Sequence, residues 1–232
     1  MTDLVTSAQM RSIERTAIDS GAVSGLALME RAGAAVVDAL LAEWPQLAQG
    51  AQRAVVLCGP GNNGGDGFVI ARLLQAAGWR VEVFLYGDAA RLPPDAVANF
   101  RRWTDIGAVR ALAFPTVPPE GAEQVATALS EAALVVDALF GTGLSRPVDG
   151  LAPVVAAQRA APARCVAVDL PSGMFSDDPA GAPVGLWVRA DLTVTFHRGK
   201  PAHIDPLTAP DCGRVVIADI GLEPWDRHRH DA

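Results

Sequence analysis

Three short runs that are apolar at nearly every position each lead straight into a glycine-bearing loop, and no other feature of the chain constrains its fold as strongly. Ala54–Cys58 leads into Gly59-Pro60-Gly61-Asn62-Asn63-Gly64-Gly65-Asp66-Gly67. Leu134–Ala138 leads into Leu139-Phe140-Gly141-Thr142-Gly143-Leu144-Ser145-Arg146, and Cys165–Leu170 into Pro171-Ser172-Gly173. Runs without polar alternation suit strands covered on both faces. Val81–Tyr86, Leu192–Phe196 and Val215–Ala218 also read as strands, with helical windows at Asp66–Ala77, Pro94–Thr104, Glu120–Ser130 and Leu151–Ala160. Alternating β and α segments predict a parallel sheet with helices on both sides. Loops leaving the strand C-termini then share one edge, where ligands bind.

The first fifty residues carry a different pattern. Ser7 reads as the cap of a helix over Ala8–Ser20 that Gly21 closes. Leu26–Glu43 repeats apolar residues at helical spacing until Pro45 ends it, with Met29 and Glu30 on its core and surface faces. Pro115, Pro118 and Pro119 mark a loop, and Asp226–Ala232, with His228 and His230, reads as a frayed tail. At 232 residues, half of them hydrophobic, the expectation is a single domain over 1–232, comprising a helical extension (1–50), a core (51–222) and a tail (223–232).

Charge and cysteine usage narrow the function classes. Lysine and arginine number 19 against 26 acidic residues, for a net charge of −7, which argues against non-specific nucleic-acid binding. Cys58, Cys165 and Cys212 form no C-x-x-C pair, so neither a disulfide framework nor a structural zinc site is expected. No apolar run is long enough to cross a bilayer, and Met1–Val5 lacks the pattern of a secretory signal. The expectation is a cytoplasmic protein without membrane or nucleic-acid partners.

Gly59, Gly61 and Gly64 satisfy the spacing G-x-G-x-x-G between a strand and a helix, where glycine lets backbone approach phosphate. Asn62, Asn63 and Asp66 are foreign to a plain dinucleotide fingerprint, and Asp66 reads either as a helix cap or as a pocket residue. Asp88 stands near the position of a ribose-binding carboxylate but equally begins a turn. Asp137 and Asp169 end apolar strands, where carboxylates rarely bury without partners. They bond loop amides, act as acid or base, or hold a cation. Asn62, Asn63, Asp137 and Ser172 together offer hard oxygen donors, with no choice among sodium, potassium and magnesium. His197, Arg198 and Lys200 offer charge to phosphates or are solvated loop residues, and Cys58 reads as a small core residue.

The loops GPGNNGGDG (Gly59–Gly67), VDALFGTG (Val136–Gly143) and VDLPSG (Val168–Gly173) resemble those of the NAD(P)H-hydrate epimerases, the YjeF N-terminal family. LMERAG (Leu28–Gly33) and CGRVVIADIG (Cys212–Gly221) extend the resemblance from about Thr6 to Leu222; Met174–Gly181 departs from it, as do Phe196–Gly199 and Ala202–Asp211 on either side of a Lys200-Pro201 pair that is kept. The resemblance implies a Rossmann-like three-layer αβα fold and a homodimer that interconverts the R and S hydrates of NADH and NADPH. It implies hydrate contacts from Asn62, Asn63, Gly64, Gly65 and Asp66. Further contacts are implied from Gly141, Thr142, Gly143, Leu144, Ser145, Arg146 and Pro147, with Asp169. It also implies a potassium ion on Asn63, Asp137 and Ser172, and a dehydratase, fused in some relatives, as functional partner. Asp169 is the candidate acid/base. A non-catalytic nucleotide-binding scaffold on the same fold is the alternative, and an ordinary NAD-dependent dehydrogenase is a third reading.

Overall fold

The computed structural model describes residues 4–112, 119–148 and 150–226. Pro115, Pro118, His228 and His230 lie outside the described residues. Seven strands form one sheet: β1 (Arg53–Cys58), β2 (Arg80–Leu85), β3 (Val109–Ala111), β4 (Leu134–Ala138), β5 (Arg164–Val168), β6 (Leu192–Phe196) and β7 (Arg214–Ala218). Their order is β3-β2-β1-β4-β5-β6-β7, and every pairing is parallel. The chain winds outward from β1 in one direction, then returns to β4 on β1's other side. Between β1 and β4 lies the topological switch point, where the loops at the strand C-termini diverge and leave room for a ligand.

Alternate residues of β1 feed opposite cores. Ala54, Val56 and Cys58 pack under α2 (Gly25–Glu43), α3 (Asn62–Ala76) and α4 (Pro94–Thr104), with α1 (Ser7–Asp19) on the same face. Val55 and Leu57 pack under α5 (Pro119–Glu131) and α6 (Leu151–Ala160). These are the three αβα layers. α2 is part of one layer: a Cβ at Gly33 would come within 2.6 Å of the Val69 side chain on α3, so glycine lets the two helices close up. Among the described residues no helix is long and apolar enough to cross a membrane.

Some boundaries differ from the sequence reading. Thr6, not Ser7, caps α1, in a capping box with Gln9. The Ser7 hydroxyl is thereby freed to donate to the Thr142 carbonyl at 2.8 Å. The short edge strand β3 was not expected, and two of its three residues, Arg110 and Ala111, are exposed. α3 begins at Asn62, four residues ahead of the sequence reading, and β5 stops at Val168 because Asp169 turns to φ +66°.

Candidate active site

The glycine loop after β1 is mostly helix. Gly61 is the N-cap of α3, so Asn62, Asn63, Gly64, Gly65 and Asp66 form its opening turns. Asp66 is therefore not the cap. With no side chain capping them, the first amides of α3 point along the helix dipole toward whatever binds ahead of it. The glycines serve packing more than ligand approach. A Cβ at Gly59 would land on the Leu139 carbonyl oxygen, and one at Gly64 on the Gly59 carbonyl. One at Gly65 would press within 2.6 Å of Met29, and one at Gly67 within 2.7 Å of the Cys58 sulfur. Only Gly61 of this run has open space over it. Gly64 and Gly65 are buried behind the cavity wall, which Asn62, Asn63 and Asp66 face.

The cavity measures about 1140 Å³ and lies over the switch point. That exceeds the ~300–1,000 Å³ of typical small-ligand clefts and suits a ligand the size of a dinucleotide. The whole Gly141–Pro147 loop lines it, including Gly143, Leu144, Ser145 and Arg146, as does Asp169. Tyr86 and Phe140, in edge-to-face contact at 5.7 Å, add an aromatic wall. Helix α1 contributes Arg11, Glu14 and Ile18, residues that sequence reading passed over. Asp88 is elsewhere: it is exposed and accepts from the Ala90 amide at 2.9 Å to cap a 3₁₀ turn.

Asp169 is the hub. Its left-handed backbone, which costs a non-glycine residue about 1–3 kcal/mol, aims the carboxylate back across the sheet edge. Oδ1 lies 3.0 Å from the Lys200 ammonium and accepts from the Thr195 hydroxyl at 2.9 Å. Oδ2 accepts from the Thr142 amide at 3.2 Å. Burial pushes the Asp169 pKa up, but the charge and hydrogen bond of Lys200, with Thr195 and His203, outweigh it and hold it below the usual carboxylate value. Asp169 is thus ionised at neutral pH.

Lys200 is fully buried, neither a phosphate ligand nor a solvated loop residue. Its ammonium also donates to the Thr195 hydroxyl at 2.7 Å and to the Phe196 and Arg198 carbonyls at 3.0 Å each. His203 braces the pair from behind. Its Nδ1 accepts from the Lys200 amide at 3.0 Å, and its Nε2 faces the Asp169 carbonyl at 2.9 Å. That pattern fits the neutral imidazole with hydrogen on Nε2, and burial lowers its pKa accordingly. His197 and Arg198 instead pair with Asp226, at 3.0 and 2.5 Å.

Asp137 sits one layer deeper, with no exposed surface. Its carboxylate accepts from the Ser172 hydroxyl at 2.6 Å and the Ser172 amide at 2.8 Å. Burial pushes its pKa up to about 6 against those bonds. Neither Asp137 nor Ser172 reaches the cavity wall. Asn63 bridges the two zones: its amide oxygen would lie 3.0 Å from a Cβ on Gly141, the same distance as Asp169 Oδ2. Its amide nitrogen is buried without a hydrogen-bond partner, the one such side-chain atom among the described residues.

Two further acids have raised pKa values. Burial, then the charges of Asp169 and Glu14, push Asp66 well above the usual range. A protonated Asp66 can face a phosphate-bearing ligand without repulsion, which resolves the oddity of an acid in this loop. Burial and Asp169 raise Glu14 to about 7, against Lys200 and Arg11. Burial, then the charge of Asp66, also push the Cys58 thiol well above its ordinary value, leaving an inert core side chain.

Residues 25–202 match the family model described as YjeF-related protein N-terminus. A Roseobacter litoralis protein named NAD(P)H-hydrate epimerase is 49% identical over 229 residues, covering 96% of this chain and all of that protein. A Rhodobacter capsulatus protein of the same name is 51% identical over 225 residues, again covering 96% of this chain and all of that protein. The crystal structure of the yeast protein YNL200c superposes with a TM-score of 0.68 at 22% identity, covering 94% of this chain and 88% of that one, and shows the same fold. On a family match spanning most of its length and on full-length relatives, the chain belongs to the family of YjeF-related protein N-termini.

Proposed function

We propose that this chain is an isomerase that epimerises the R and S hydrates of NADH and NADPH, as its relatives are named to do. The observation that carries the reading is an Asp169 carboxylate, kept ionised by buried Lys200, on the wall of a dinucleotide-sized cavity. The substrate carbon bears a hydroxyl beside a ring nitrogen. Loss of that hydroxyl leaves a cationic iminium, and a carboxylate already fixed beside it stabilises such a cation. Water then adds from the other face and passes its proton to Asp169. The α3 amides and neutral Asp66 suit the phosphates, and Tyr86 and Phe140 suit a ring. The reading takes the chain as a cytoplasmic homodimer whose S product is consumed by a dehydratase. A dehydratase-coupled assay on the R hydrate tests it.

Potassium is the ion of this reading. Asp137 is a fully buried carboxylate whose described partners, Ser172 and Leu139, are neutral. Ser172 Oγ also lies 3.3 Å from the Phe140 carbonyl oxygen. The donor set is hard oxygen throughout, and turning the Asn63 amide over would place an oxygen where the unpartnered nitrogen now sits. Asn63, Asp137 and Ser172 would hold the ion, which would supply positive charge that orders the three loops. At about a hundred times its dissociation constant, such an ion contributes ~2.7 kcal/mol, or roughly 5–10 °C of melting temperature. Melting in potassium chloride is therefore expected to exceed melting in choline chloride by that much, and Asp137→Asn to abolish the difference. Equal melting in both salts would remove the ion from the account.

A further inference from the structure

We propose that Glu14, on helix α1, is the general acid of the epimerisation, on the wall of the same cavity as Asp169. The inference rests on the epimerase reading above. Glu14 precedes the residues matched to the family model, 25–202, and the assignment starts from its place on the cavity wall.

Helix α1 is fixed to the substrate loop. The Ser7 hydroxyl donates to the Thr142 carbonyl at 2.8 Å, and the Ser7 amide donates to the Asp177 carboxylate at 2.9 Å. Met10, Ile13 and Ala17 bury one side of the helix. Arg11, Glu14 and Ile18 then line the cavity. Glu14 is half-buried, and among the described residues its carboxyl has no hydrogen-bond partner. The groups around it are Arg11 on its own helix, Asp66 on α3, Asp169 after β5 and Lys200 after β6. Lys200 lies 3.0 Å from Asp169, leaving Glu14 without a committed cation.

Burial first, then the Asp169 charge, raise the Glu14 pKa to about 7. Two carboxyl groups in one cavity are thus driven apart, one ionised and one that still holds a proton below about pH 7, the arrangement that assigns acid and base. Asp66 is also pushed up by burial, but it is only 9% exposed, whereas half-buried Glu14 can exchange its proton with water between turnovers.

The step balances. Glu14 gives its proton to the departing hydroxyl, and the C–O bond breaks with its electron pair on oxygen, releasing water. The ring-nitrogen lone pair forms the C=N bond of the iminium. Water adds on the other face, its electron pair forms the new C–O bond, and its proton goes to Asp169. Asp169 then loses that proton to solvent and Glu14 regains one. The S-to-R direction runs these transfers in reverse.

The test measures turnover of the R hydrate of NADPH with an S-specific dehydratase in excess, on the full chain, across about pH 6 to 9. Wild-type kcat is expected to fall as pH rises through about 7, because Glu14 must carry a proton. Glu14→Gln should lose about 10²–10⁴-fold in kcat, with little change in KM, and lose that pH limb. Glu14→Asp should recover part of the rate. A Glu14→Gln rate within a few-fold of wild type, or an unchanged pH limb, overturns the assignment. Should that variant not fold, a wild-type rate that is flat or rising through pH 7 overturns it instead. An inactive wild type overturns the epimerase reading itself, and this assignment with it; an active wild type with an active variant overturns only this one.

Discussion

Asp169→Asn is expected to lower epimerisation turnover by about 10²–10⁴-fold while leaving dinucleotide affinity within a few-fold. Asparagine fills the same space and, with its oxygen at the Oδ2 position, still accepts the Thr142 amide, now at 3.2 Å. It leaves the buried Lys200 ammonium without its countercharge, so a lowered melting temperature is expected beside the kinetic effect. It carries no charge for the iminium and takes no proton from the incoming water. The cavity contacts from the Gly141–Pro147 loop and the α3 N-terminus are untouched, and those carry affinity. Calorimetric titration with NADP⁺ beside the kinetic assay separates the two effects. Parallel loss of binding and turnover would make Asp169 a structural residue, and unchanged turnover would remove it from the chemistry.

Lys200→Met is expected to produce the largest stability loss of any single substitution in the site. Removing one partner of a buried ion pair costs about 3–5 kcal/mol, because the other charge stays buried and uncompensated. In a chain of this size that is roughly 6–20 °C of melting temperature. The loss has a specific origin: Asp169 and Lys200 are both buried, and the three lysine hydrogen bonds to Thr195, Phe196 and Arg198 vanish with the ammonium. The Asp169→Asn/Lys200→Met double variant should melt above Lys200→Met alone, since no unpaired charge remains. The pair also fixes a pH sign. Asp169 has a folded pKa below its unfolded one, so its stabilisation is complete above the unfolded value and lost as pH falls through the folded one. Acid should therefore erode the wild-type advantage over the double variant. Lys200→Met melting within about 2 °C of wild type would contradict the ion-pair account.

The sheet was legible because fully apolar runs have few alternatives. Leu134–Ala138 and Leu192–Phe196 are strands to the residue, as Pro94–Thr104 and Leu151–Ala160 are helices. The early start of α3 was not, because Asn62–Gly65 has poor helix propensity. Close packing of Gly64 and Gly65 against Gly59 and Met29 outweighs it. The gathering of Asn62, Asn63, Asp66, Asp169 and the Gly141–Pro147 loop on one cavity followed from parallel topology. Lys200 was misread because a lysine just beyond a strand normally faces water. Its burial depends on carbonyls and a carboxylate that only the folded chain assembles. Glu14 was missed for a related reason: helical spacing separates Arg11, Glu14 and Ile18 from the buried face of α1 but does not say what they face.

The central claim is tested most directly by supplying the purified protein with the R hydrate of NADPH and an excess of S-specific dehydratase. Spontaneous epimerisation is subtracted. The account predicts rapid, protein-dependent disappearance of the R hydrate, with NADPH accumulating and the rate proportional to protein concentration. R hydrate lost no faster than in the protein-free control, with NADP⁺ still bound, would contradict it and leave a nucleotide-binding module on the same fold.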